Sequence, residues 1–90
     1  MDFEWDEAKR LANLTKHGLD FLDAEAVLDG PHVLDEARSI GDEIRRMATG
    51  ILEGRHVTII FTERHGAIRV ISLRKARRRE RERHQAIFGG

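Results

Sequence analysis

The sequence predicts an α+β domain: two N-terminal helices, a small antiparallel β-sheet meander and a C-terminal basic helix. Three observations carry this prediction. Apolar residues near the start recur at helical spacing and end on capping signals. Three β-prone stretches in the second half are separated by tight turns. Then, from Arg74 to Arg83, seven of ten residues are Arg or Lys. The 90 residues form one domain, 1–90, with room for a modest core.

The first helix is expected from Asp6 to Lys16, with Trp5, Ala8, Leu11, Ala12 and Thr15 at helical spacing. Asp6 can cap it, Glu7 suits its positive end, Lys16 and His17 suit its negative end, and Gly18 can stop it. A second, short helix opens at Asp20 or Leu22, with Ala24, Val27 and Leu28 beside Phe21, and Gly30-Pro31 ends it. His32 to Asp35 can form a short edge strand, and the polar run Glu36 to Glu43 reads as a loop. Strands follow at Arg46–Leu52, His56–Thr62 and Ala67–Leu73, joined by turns at Glu53-Gly54-Arg55 and Glu63-Arg64-His65-Gly66. Such short connections cannot make parallel crossovers, so the three strands form a meander. The basic helix is expected from about Arg74 to Phe88, with Leu73, Ala76, Ile87 and Phe88 as its sparse apolar residues.

The formal net charge is zero, but its distribution is uneven. Residues 1–44 hold 12 acidic and 4 basic side chains, and residues 45–90 hold 4 acidic and 12 basic. That asymmetry fits a nucleic-acid or acidic-partner surface, and it also fits two halves that neutralise each other across the fold. No cysteine is present, which removes disulfides and thiolate chemistry and fits the cytoplasm. No apolar run approaches membrane-spanning length, and the acidic start does not read as a signal peptide.

Several residues could carry chemistry. Arg77, Arg81 and His84 fall at i, i+4 and i+7 of the basic helix, flanked by Arg74 and Arg78. Guanidinium groups along a rod can grip successive phosphates. The same run can be a solvated face whose Arg–Glu pairs contribute little. Lys16-His17-Gly18 is either a cationic helix end with its cap or the mount of a histidine that moves protons. His84 has the same two readings. Arg64 lies in a hairpin turn and Arg74 at a strand-to-helix junction, places where rigid scaffolds mount functional groups. The scattered histidines offer no metal-ligand spacing, and neither a G-x-S-x-G motif nor a Walker loop is present, so no metal and no cofactor are expected.

Phe3-Glu-Trp-Asp-Glu-Ala-Lys9, Asn13, Lys16-His-Gly18 and Phe21 resemble the opening of the BrnT toxin family (DUF497). Gly50 to Gly54, Thr62-Glu-Arg64, Arg69-Val-Ile-Ser-Leu-Arg-Lys-Ala76 and Arg79-Glu-Arg-Glu82 resemble its second half. The resemblance implies a RelE-like fold and a ribonuclease toxin of a type II toxin–antitoxin pair. It implies a BrnA-like ribbon-helix-helix antitoxin, with which the toxin represses its own operon and contacts operator DNA only through the complex. The free toxin would cut RNA and arrest translation and growth. Family members commonly carry Tyr where this chain has His84, and either group can transfer a proton. The expected scheme is metal-free: Arg74 and Arg64 on the scissile phosphate, His17 or His84 moving protons, and Lys16, Lys75, Arg77, Arg78 and Arg81 on the flanking backbone. Two other readings stay open: a nucleic-acid-binding module without catalysis, and a subunit that only holds an acidic antitoxin segment. A homodimer and a toxin–antitoxin hetero-oligomer are equally compatible with the sequence.

Overall fold

The computed structural model describes residues 2–89. Strand β1 (Asp2–Glu4) leads into helix α1 (Glu7–His17). A 3-10 turn (Phe21–Asp23) runs into a six-residue helix α2 (Ala24–Asp29). Strands β2 (Val33–Glu36), β3 (Arg45–Leu52), β4 (Arg55–Arg64) and β5 (Ala67–Lys75) follow, and helix α3 (Arg78–Phe88) closes the fold. The strands form one five-stranded sheet in the order β1-β5-β4-β3-β2. β1 pairs parallel with β5, and the other neighbours are antiparallel.

This corrects the expected architecture in three respects. The sheet is five-stranded and mixed, not an antiparallel meander alone, and it gives no RelE-like assignment. Three residues, Asp2-Phe3-Glu4, are too few to display a strand period, yet they pair with Ala67 to Arg69. Second, only one long N-terminal helix forms. Asp20 caps a tight 3-10 turn by accepting from the Leu22 N–H at 3.0 Å, and Gly30-Pro31 stops α2 after six residues. Third, the basic helix begins at Arg78 and not at Arg74. Arg74 and Lys75 remain in β5, opposite Thr58 and Val57.

Each hairpin strand nonetheless lies where its alternation places it. Central β4 buries Val57, Thr58 and Ile59 in succession, which requires cover on both faces. One face packs its apolar side chains against Phe21, Ala24 and Val27. The other meets α3, whose Glu80 accepts a hydrogen bond from the Thr58 hydroxyl at 3.0 Å. Gly50 sits where α2 presses on β3: a Cβ there would come within 2.8 Å of a Val27 methyl and 3.2 Å of the Val27 carbonyl.

The inward face of α1 also differs from expectation. Leu11 is half exposed, and the one buried residue of the helix is Asn13. Its amide donates to the Leu73 carbonyl at 2.8 Å and to the Leu19 carbonyl at 3.0 Å, and its oxygen accepts from the Leu73 N–H at 3.2 Å. Beyond the end of β1, the edge of β5 would otherwise hold unpaired backbone groups. Asn13 takes the place of the missing strand and fixes the C-terminal end of α1 against the end of β5.

Candidate RNA-binding and catalytic site

The end of β5 turns into α3 through Ala76 and Arg77, and one carboxylate sets that junction. Glu80 accepts two hydrogen bonds from the Arg74 guanidinium, at 2.8 and 2.9 Å, one from the Arg77 N–H at 2.7 Å, and one from Thr58. The Arg77 bond caps α3 from its third position. The Arg74 pair ties the helix to β5. Arg74 first, then the Arg77 N–H and Thr58, hold the Glu80 carboxyl down at about 2, against the opposing effect of burial. Arg74 is therefore already neutralised and largely enclosed.

The junction frames a basin of about 430 Å³ at the end of the sheet. His17 enters it from the last residue of α1, Arg55 and His56 from the first residues of β4, Lys75 from the last of β5, and Arg81 from α3. Leu19, Val57 and Ala76 are part of its wall, and no carboxylate lines it. Among the described residues, Arg55, Lys75 and Arg81 form no ion pair. Desolvation first, then the neighbouring His84 and Arg81, push the His56 imidazole below its ordinary pKa. The chemistry on offer is three free cations for an anion, with two imidazoles beside them for proton transfer.

Apart from Arg74, which is tied to Glu80 at the junction, the expected site residues divide among four places. His17, Lys75 and Arg81 meet in the basin, and Lys16 sits next to His17, exposed on the last turn of α1. Arg77 and Arg78 line a different groove, with Asp35, Glu80 and Glu82; there Arg78 pairs with Glu82 and Arg83 with Asp35, so much of the charge is cancelled locally. Arg64 is at the far end of β4, eight residues from His56 or roughly 25 Å along the strand. Its neighbours there include Asp42, Glu43 and Glu63. Arg64 and Arg74 therefore do not converge on one phosphate. His84 does not face solvent at all: it is 1% exposed, within hydrogen-bond distance of Pro31 O and His56.

Two basin residues, Arg55 and His56, were not singled out from the sequence. The available signal was their position directly after the Glu53-Gly54 turn, at the mouth of the most β-prone strand. The halves of the chain neutralise each other little: Arg69 with Glu4, Arg83 with Asp35 and, at the boundary itself, Arg45 with Glu43 are the ion pairs that cross between them among the described residues.

A basic basin flanked by imidazoles beside a cationic helix has the charge and hydrogen-bond donors to hold an anion, in a small domain of one mixed sheet and three helices. Residues 5–80 match the family model described as the ribonuclease toxin BrnT of type II toxin–antitoxin systems. The match spans most of the chain, which belongs to that family. No curated protein matches the chain.

Proposed function

We propose that the chain cleaves RNA in the basin between α1, β4, β5 and α3, without a metal ion. The observation that carries this reading is the gathering of unpaired Arg55, Lys75 and Arg81 with His17 and His56 around one cavity free of carboxylates. That donor set suits a phosphodiester and not a hard divalent cation, which seeks oxygen ligands. Lys75 and Arg81 hold the scissile phosphate and stabilise the charge that builds on it as the 2′-oxygen attacks. His17 protonates the departing 5′-oxygen. Arg55 and Lys16 hold flanking phosphates. Arg74 does not touch RNA; through Glu80 it fixes the position of α3 and hence of Arg81.

Cutting messages in this way stops translation and growth in the cytoplasm. A BrnA-like antitoxin neutralises the enzyme most simply by covering the same cations with an acidic segment, and the pair represses its own operon through the antitoxin's DNA-binding part. The test is digestion of a defined single-stranded RNA by purified protein in excess EDTA. Cleavage should persist, and the double variant Lys75→Ala/Arg81→Ala should lose it while remaining folded by circular dichroism. Loss of wild-type cleavage on adding EDTA would overturn the metal-free scheme. Tight, salt-sensitive binding that leaves RNA intact in either condition would select a binding module instead.

A further inference from the structure

His84 of α3 is 1% exposed, yet it is a titratable ring in the interior of a small domain. Its Nε2 lies 2.9 Å from the Pro31 carbonyl oxygen, and its Nδ1 lies 3.2 Å from Nε2 of His56. A carbonyl can only accept, so Nε2 of His84 carries a proton. With one proton on each ring, Nδ1 of His84 is then an acceptor, and Nε2 of His56 must be the donor. The chain of donors runs from His56 to His84 to Pro31. Its consequence falls on the one atom left over, Nδ1 of His56, which is unprotonated. That nitrogen makes no hydrogen bond among the described residues, and no buried side-chain nitrogen among them lacks a partner, so Nδ1 meets solvent. His56 lines the basin that His17, Lys75 and Arg81 also line.

We infer that His56 is the general base of the cleavage, and that His84 is a positioning residue that fixes its tautomer and ring orientation. The inference rests on the ribonuclease reading above. In the reaction, Nδ1 of His56 takes the proton of the ribose 2′-OH while the 2′-oxygen forms a bond to phosphorus. The P–O5′ bond breaks, and His17, entering as imidazolium, gives its proton to the departing oxygen. The products are a 2′,3′-cyclic phosphate and a 5′-hydroxyl, with His56 left protonated and His17 neutral.

Three features support the assignment. The ring is held from behind by a bond to a buried group, as the orienting partner of a catalytic imidazole should be. Its other neighbours in the basin are cations: Arg81 from α3, Lys75 from β5 and Arg55 on its own strand, with His17 facing it from α1. Desolvation first, then His84 and Arg81, favour the neutral, basic form of His56. Phe88, 4.8 Å from His84 between ring centroids, packs against that second ring.

The first measurement uses the wild-type protein and no variant. Long-range ¹H–¹⁵N spectra at pH 7.5 should show His56 and His84 both as Nε2–H tautomers, each with a bare Nδ1. A proton on Nδ1 of His56 overturns the inference whatever the activity. Next, His56→Gln should lower kcat for RNA cleavage by about 10²–10⁴-fold, with KM changed less than about threefold. His84→Phe keeps a buried ring but removes the acceptor. It should lower kcat about tenfold or more while leaving KM unchanged. Should His84→Phe fail to fold, the tautomer spectra and His56→Gln decide. Wild-type cleavage in EDTA beside undiminished cleavage by His56→Gln rejects the relay and leaves the ribonuclease reading intact. A wild type that leaves RNA whole rejects both.

Discussion

Replacing Glu80 by Gln tests how α3 is held over the sheet. The carboxylate is pinned at about 2, against an ordinary 4.5, by the Arg74 guanidinium, the Arg77 N–H and Thr58. Each unit of pKa is worth about 1.4 kcal/mol, so the interactions contribute on the order of 3 kcal/mol at neutral pH. Both side chains are mostly enclosed, 16% exposed for Arg74 and 13% for Glu80, so solvent screens the pair little. The Gln variant can still accept from the Arg77 N–H, but it leaves Arg74 charged and unpaired. A chain of this length has a stability of roughly 5–13 kcal/mol at about 0.05–0.15 kcal/mol per residue. The variant should therefore lose a large fraction of it, with a fall in Tm on the order of 15 °C.

The pH dependence has a definite sign. Folding lowers the pKa of Glu80, so its stabilisation is complete above about 4.5 and is lost as pH falls through about 2. Urea melts at pH 7, 5 and 3 should show the same gap between wild type and Glu80→Gln at the first two. At pH 3 the gap should shrink to roughly half or less. A double-mutant cycle with Arg74→Met should give a coupling energy on the order of 2 kcal/mol. A gap below about 1 kcal/mol at pH 7, or one that stays constant down to pH 3, would refute the reasoning.

Lys75→Ala and Arg81→Ala should each weaken binding to single-stranded RNA and reduce the slope of log K against log salt by about 0.7, read by fluorescence anisotropy. Arg64→Ala, at the other end of β4, should leave both quantities unchanged. Asn13→Ala strips the Leu73 N–H and carbonyl and the Leu19 carbonyl of their partner, and should cost about 2–4 kcal/mol; hydrogen exchange at the Leu73 amide should accelerate well before global unfolding. Gly50→Ala drives a methyl to 2.8 Å from Val27 Cγ1 and should destabilise by about 1–3 kcal/mol in urea melts.

The sequence made some of this legible and hid the rest for physical reasons. Asp6 and Gly18 bound α1 because caps are chosen by local chemistry: the Asp6 carboxylate accepts from the Ala8 and Lys9 N–H groups, and Gly18 adopts a φ of 68°. The hairpin strands were readable from alternation within each segment. β1 was not, because its pairing with β5 is made between residues about 65 apart in the chain, and three residues carry no period. Asn13 shows the same limit. A buried polar side chain on a helix is invisible to an apolar stripe, because its value lies in a strand edge 60 residues away.

The charge run was the loudest feature and misdirects when read residue by residue. Periodicity set Arg77, Arg81 and His84 on one helical face, and the fold gives that face three different surroundings. Arg77 caps the helix, Arg81 lines the basin, and His84 turns inward to Pro31 and His56. A helical wheel cannot tell these apart, because the packing of α3 on β4 is set by Glu80, an acidic residue within the basic run. The same logic explains Arg74. Taken alone it is a guanidinium at a strand end; beside Glu80 it is a buried strut. What remains free to meet a phosphate is the set of cations that no carboxylate has claimed. Arg77 and Arg79 also form no ion pair among the described residues, but they share their groove with Asp35, Glu80 and Glu82; unpaired cations gather without a carboxylate beside them in the basin, which holds only one helical arginine of the seven-cation run.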